Sequence, residues 1–301
     1  MPAAPTIDEL LAPLIAAPSR SAVLLDVDGT LAPIVRQADD AHVPQLTREP
    51  LKLIAREYGL VACVSGRRAA VARRIVSLGT MAYVGNHGAE LLPAGTAEPV
   101  VVPEAARYRA QVQKFAKAVL QGELAPRVRI RGEDKSAIYA FHWRGAPDEQ
   151  AALDAARQIA AAAESEGLWV HWGRKVLEVR PPVPLTKGTG VSDLLAGAPG
   201  IDNANGTLLL TEASPKKRAS LHLVRGAAAL AAHHAGGIEP LECDLDAFAA
   251  LRELQTGGSL THVACVGVRS EETPVELAEA ADLLVDGPLG VRALLQALAG
   301  S

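Results

Sequence analysis

The chain has 301 residues, 49% hydrophobic and 21% charged, enough for a packed core and, by length, about two domains. Its net charge of −4 argues against a general nucleic-acid binder. No stretch approaches the ~18–20 apolar residues of a membrane-spanning helix.

Taken in order, residues 6–17 read as a leading helix. Ala22-Val-Leu-Leu25 is a buried strand ending abruptly at Asp26-Val27-Asp28-Gly29-Thr30. A polar loop and a helix over 47–58 follow, then a strand over 60–64 that stops at Ser65-Gly66-Arg67. The next helix carries Val71, Ile75, Val76 and Leu78 on its apolar side, and a strand over 81–84 ends at Gly85-Asn86-His87-Gly88. Strands and helices alternating at this spacing predict βαβ units and a parallel sheet.

Pro93, Gly95, Pro99 and Pro103 mark a change of pattern. Beyond them the periodicity predicts a helix (104–121), strands (127–132 and 136–142), a helix (147–165) and strands (168–172 and 175–180), a small α+β module. Pro181-Pro182-Val183-Pro184 closes it as a stiff linker. The α/β pattern then resumes with a helix (188–196), strand (206–210), helices (216–235 and 245–256), strand (262–266), helix (274–280), strand (282–285) and helix (288–299). The expected fold class is α/β, a Rossmann-like parallel-sheet core over 1–92 and 183–301 with an inserted α+β cap over 93–182.

Ligands of open α/β sheets sit beyond the carboxyl ends of the strands. Two carboxylates buried there cost several kcal/mol unless a cation or hydrogen-bond donors compensate. Asp26 and Asp28 lie two apart, so both can approach one bound ion. A magnesium ion and a phosphate account for the pair, with one acid attacking phosphorus and the other moving protons. The plain alternative is a polar turn serving its own backbone. Ser65 and the Gly66 amide can hold phosphate oxygens at a helix start, although Ser65 could equally cap that helix. Lys187 opens a helix against its dipole, which points to a partner, either a phosphate or Asp26.

The order Asp26-Val-Asp28-Gly-Thr30, Ser65-Gly-Arg67, Lys187-Gly188 resembles the haloacid dehalogenase-like phosphatases. Three further strings narrow the resemblance to the trehalose-6-phosphate phosphatases: Tyr83-Val-Gly85-Asn86-His87-Gly88-Ala-Glu90, His142-Trp-Arg144 and Gly173-Arg174-Lys175-Val-Leu-Glu178-Val-Arg180-Pro181. The likeness covers about residues 20–200 and resumes near 244. It implies a core of haloacid dehalogenase type with a cap between the serine and lysine motifs. It implies Asp26 as nucleophile, Asp28 as acid/base, and phosphate contacts from Thr30, Ser65, Gly66 and Lys187. Asn86, His87, Arg174, Lys175, Glu178 and Arg180 are the implied sugar contacts. Mg²⁺ is the implied cofactor and a phosphosugar, most directly trehalose 6-phosphate, the implied substrate.

The chain departs from that pattern at the fourth motif. A strand ending in Gly-Asp-Asp is missing, and Glu239-Pro240-Leu241-Glu242-Cys243-Asp244-Leu245-Asp246 stands near its place. Asp244 is the first candidate to join Asp26 and Asp28 as metal ligand and Glu212 the second. A third reading is a defective metal site in a homologue that binds sugar phosphates without turnover, and a fourth is a phosphatase for another phosphosugar.

The first twenty residues lack a basic start and long apolar run, so no signal peptide is expected. Cys63, Cys243 and Cys265 form no Cys-x-x-Cys pair and read as structural thiols of a reducing compartment. A cytoplasmic monomer with no nucleic-acid or membrane partner is the expectation.

Overall fold

Thr6 and Glu9 cap one another's backbone amides and launch the first helix, α1 (Ile7–Ala16). The computed structural model describes residues 5–35, 38–173, 175–197, 218–225, 242–269 and 275–300. They fall into two units, one of residues up to Val100 and from Thr186 onward, the other of Val101–Leu185.

In the first unit α1 leads to β1 (Ser21–Leu25), α2 (Gln45–Glu57), β2 (Leu60–Val64), α3 (Ala69–Val76), β3 (Ala82–Gly85), β4 (Glu90–Leu92) and β5 (Val100–Val101). The second unit holds α4 (Pro103–Ala106), α5 (Arg109–Gln121), α6 (Leu124–Arg127), β6 (Arg131–Lys135), β7 (Ile138–His142), α7 (Glu149–Ser165), β8 (Trp169–Gly173) and β9 (Val176–Arg180). The chain returns to the first unit with α8 (Lys187–Ala196), β10 (Arg218–Arg225), α9 (Glu242–Thr256), β11 (Leu260–Arg269), α10 (Val275–Ala280), β12 (Leu283–Asp286) and α11 (Gly287–Leu298).

The large sheet runs β12-β11-β10-β1-β2-β3-β4-β5. Its strands are parallel from β12 to β3, and β4 turns back antiparallel to β3. Side chains alternate between its faces. Val23, Leu25, Cys63 and Val266 pack with α1, α2, α3 and α11 on one face. Ala22, Leu24, Ala62, Val64 and Cys265 pack with α8 and α9 on the other. With both faces covered, β1 is buried throughout, as its unbroken apolar run requires. Because β1, β2 and β3 are parallel, the residues that follow them, Asp26, Ser65 and Asn86, gather at one rim.

The second unit is an antiparallel sheet, β6-β7-β9-β8. Phe141, Leu177 and Val179 on one face pack against Val112, Phe115, Ala156 and Ile159 of α5 and α7. Among the described residues no helix is long and apolar enough to cross a membrane.

Three expectations are corrected. The helix expected over 104–121 is two, α4 and α5. The strand expected over 127–132 begins only at Arg131, because residues 124–127 make the turn α6 and Arg129 takes a left-handed conformation (φ 58°). The helix expected over 216–235 is replaced in its described part by β10. Ala219, Leu221 and Leu223 alternate with Ser220 and His222, a period of two that the Ala-rich residues after it obscured. Position in the sheet reinforces this: β10 fills the gap between β1 and β11, and its ladders satisfy both neighbours. The strand expected over 206–210 lies outside the described residues.

Candidate active site

Asp26 follows β1 directly and is 5% exposed. The loop after it closes tightly, with the Gly29 amide donating to the Ala32 carbonyl and the Ala32 amide to that of Val27. This turn brings the fully buried Thr30 back so that its hydroxyl donates to Asp26 Oδ2 at 3.3 Å. Asp26 Oδ1 accepts from Lys187 Nζ at 2.8 Å. Both side chains of this pair are 7% exposed. Lys187 is held there by α8, whose first turn is fixed by a reciprocal cap between Thr186 and Thr189. The lysine that opposed the helix dipole therefore has the carboxylate partner its position demanded.

Asp28 takes a different partner. Arg67 grips it in a two-pronged pair, Nε to Oδ2 at 2.7 Å and Nη2 to Oδ1 at 2.8 Å. Arg67 sits in the quoted Ser-Gly-Arg string, but its contact spans 39 residues and could not be read from spacing.

Ser65 is buried, and its Oγ accepts from the Arg67 amide at 3.1 Å. It is not the cap of α3, which begins at Ala69 with no side-chain cap from its own N-terminal flank. That role falls to Glu90, whose Oε2 accepts from the Ala69 amide at 3.1 Å. Asn86 is fully buried, its amide donates to the Arg67 carbonyl, and the His87 amide donates to that of Ser65. Both residues are left-handed, at φ 49° and 56°. Such strain persists only where the surroundings over-determine it, and here it folds the β3–β4 turn onto the Ser65–Arg67 loop.

Gly88 completes that turn at φ +100°, and a Cβ there would lie 2.4 Å from the Thr186 carbonyl oxygen. Gly88→Ala should therefore destabilise the fold by about 2–4 kcal/mol, through combined strain and overlap. Urea unfolding checks this, and a loss below about 1 kcal/mol contradicts the close approach.

The donor set bears on a divalent ion. Asp26 offers a hard carboxylate oxygen and Asp28 its main-chain carbonyl, and Mg²⁺ is commonly held by one or two carboxylates plus substrate phosphate and water. The two acids fit Mg²⁺ in kind. Among the described residues no group of three or more His, Cys, Asp or Glu side chains converges. β10, the strand beside β1, pairs Leu223 with Leu25 and then ends in Val224-Arg225, so it brings no acid to the rim at these positions. Asp244 lies in the first turn of α9, which packs close to the start of α8: a Cβ on Gly188 would meet the Asp246 carbonyl oxygen at 2.5 Å. The Asp244 side chain, like Glu212, lies outside the described residues.

In the second unit a polar cluster occupies the sheet face opposite α5 and α7. Glu178, 5% exposed, accepts from Lys135 Nζ at 2.8 Å and from Arg180 Nε at 3.0 Å. His142 Nε2 meets Glu133 Oε2 at 2.8 Å, and this hydrogen bond holds the Glu133 carboxyl below its usual range. His171 is the register partner of Glu178, and burial, helped by the Arg180 charge, pushes its imidazole down to about 4. Glu178 and Arg180 are thus brought together. Lys175 is not with them: it pairs with Glu149 at the start of α7, at 2.6 Å. Arg174 lies outside the described residues. Glu133, Lys135 and His171 were not anticipated, since only the strand register shows that they share a face with Glu178.

The sheet, with acids at the carboxyl end of β1 and a lysine from the later helix α8, has the fold of solved haloacid dehalogenase-like proteins. A haloacid dehalogenase-like hydrolase from Bacteroides thetaiotaomicron superposes with a TM-score of 0.55 at 14% identity, over 92% of this chain and 99% of that one. The C-terminal domain of Candida albicans trehalose-6-phosphate phosphatase gives 0.66 at 20% identity, over 99% and 97%. The trehalose-phosphatase family model matches residues 24–210, and the chain belongs to that family. A relative from Arabidopsis thaliana, probable trehalose-phosphate phosphatase D, is 29% identical over 193 residues, 62% of this chain and 52% of its own length. The chain spans about half the length of the curated relatives it matches first.

Proposed function

We propose that the protein is a phosphatase that hydrolyses trehalose 6-phosphate through Asp26. The observation that carries the reading is the buried Asp26–Lys187 pair at the rim shared with Ser65. An Asp26 oxygen attacks phosphorus in line as the bond to the sugar oxygen breaks, leaving an aspartyl-phosphate. Asp28 gives a proton to the departing sugar oxygen and later takes one from the water that attacks phosphorus as its bond to Asp26 breaks, which frees phosphate and restores the Asp26 carboxylate. Lys187, Ser65 and the Gly66 amide stabilise the phosphoryl oxygens, the contribution expected to be largest. Asp26 and Asp28, with Asp244, are the residues that would hold Mg²⁺, which when bound neutralises phosphoryl charge. Glu178 and Arg180 of the second unit, and Asn86 and His87 of the first, are each proposed as recognition groups for sugar hydroxyls. The buried free thiols Cys63 and Cys265 fit a reducing, cytoplasmic setting.

The acid-free end of β10 favours a second reading, a sugar-phosphate binder without turnover. Incubating purified protein with trehalose 6-phosphate and Mg²⁺ separates the two: phosphate release supports the phosphatase, and tight binding without release the binder. A panel of phosphosugars tests the choice of substrate, and preference for another ester overturns it.

Glu178→Ala should raise KM for trehalose 6-phosphate on the order of tenfold while changing use of p-nitrophenyl phosphate less than about twofold, as expected for a lost charge-assisted hydrogen bond. Equal loss on both substrates counts against sugar recognition by this residue.

A further inference from the structure

We infer that Arg67 is a positioning residue for Asp28, aligning its carboxyl group for proton transfer to the leaving sugar oxygen. This rests on the phosphatase reading above and adds a residue to it. Arg67 reaches both carboxylate oxygens, at 2.7 and 2.8 Å. Two parallel hydrogen bonds from a planar fork restrict both the distance and the plane of the acceptor. Asp28 needs that restraint more than Asp26 does. Its side chain is 39% exposed, whereas that of Asp26 is 7% exposed and already held by Lys187 and Thr30.

Arg67 is itself clamped through both of its main-chain polar groups. Its amide donates to Ser65 Oγ at 3.1 Å, and its carbonyl accepts from the Asn86 amide at 2.8 Å. The guanidinium therefore projects from a backbone tied to the loops after β2 and β3 and meets the acid after β1. One side chain joins three loops at the rim, so the carboxyl group of Asp28 is registered against Ser65.

The chemistry gives a specific consequence. In the first half-reaction the bond from phosphorus to Asp26 forms, the bond from phosphorus to the leaving oxygen breaks, and the proton passes from the Asp28 carboxyl to that oxygen. A sugar alkoxide requires this proton, whereas p-nitrophenolate departs without it. Loss of alignment at Asp28 therefore slows the first ester and spares the second.

The test uses Arg67→Met and Arg67→Lys in the full chain, with alcohol release followed in single turnovers at excess enzyme. Arg67→Met should slow trehalose release about 10²-fold, the order expected for one proton transfer, and p-nitrophenol release less than about fivefold. Affinity for inorganic phosphate should change less than about threefold, and Arg67→Lys should recover trehalose release to within about tenfold of wild type. Equal slowing on the two esters overturns the proposal and leaves the phosphatase reading standing. So does a loss of phosphate affinity as large as the loss of rate, which assigns Arg67 to the phosphate instead. A wild-type protein that releases neither alcohol overturns the phosphatase reading, and this inference with it.

Discussion

Asp26→Asn should abolish turnover of trehalose 6-phosphate, with a fall in kcat on the order of 10⁴-fold or more, because an amide cannot serve as the attacking group. Binding should survive. The substitution removes a negative charge that repels a phosphate dianion, and it takes from the buried Lys187 the carboxylate it meets at 2.8 Å. Phosphate then becomes the natural counter-ion of that lysine. Inorganic phosphate should accordingly raise the melting temperature of Asp26→Asn by more than that of the wild type. Calorimetry with and without phosphate, beside a phosphate-release assay, reads both halves. Retained turnover, or a phosphate effect confined to the wild type, contradicts the assignment.

Lys187→Met should be strongly destabilising. Removing one partner of a buried ion pair leaves the other uncompensated, at a cost of about 3–5 kcal/mol. Here both partners are 7% exposed, so water can do little to relieve the remaining carboxylate. That is a large share of the ~5–15 kcal/mol typical of a whole domain. The double variant Asp26→Asn/Lys187→Met should regain much of the loss, since both charges of the pair are then gone. Urea unfolding of the two single variants and the double variant gives the coupling energy. Strict additivity, with the double variant weaker than either single one, contradicts a direct pair.

Much of this site was legible in the chain because its residues stand at strand ends. Asp26, Ser65 and Asn86 each follow an apolar run, and parallel pairing brings such positions to one rim. Lys187 was legible through electrostatics, as a cation at the wrong end of a helix. Arg67 was not, because only the folded loops show that its guanidinium meets Asp28. The cluster around Glu178 was half legible. Glu178 and Arg180 are two apart on one strand and must share a face, but Lys135 joins them from β6 across β7. β10 was misread because the Ala-rich residues after it outweighed a short period-two pattern. Its place in the sheet is set by the two strands that need a neighbour rather than by its own propensity. That misreading bears on function, since β10 borders β1 and ends in Val224-Arg225, neither of them an acid.

The most direct test of the account is to trap the covalent intermediate. Purified protein with Mg²⁺ is mixed with trehalose 6-phosphate carrying radiolabelled phosphorus, quenched in acid within the first turnover, digested and mapped. The label should appear on the peptide containing Asp26, be released by mild base, and be missing from Asp26→Asn. Release of labelled phosphate with no labelled Asp26 peptide at any quench time contradicts attack by this carboxylate.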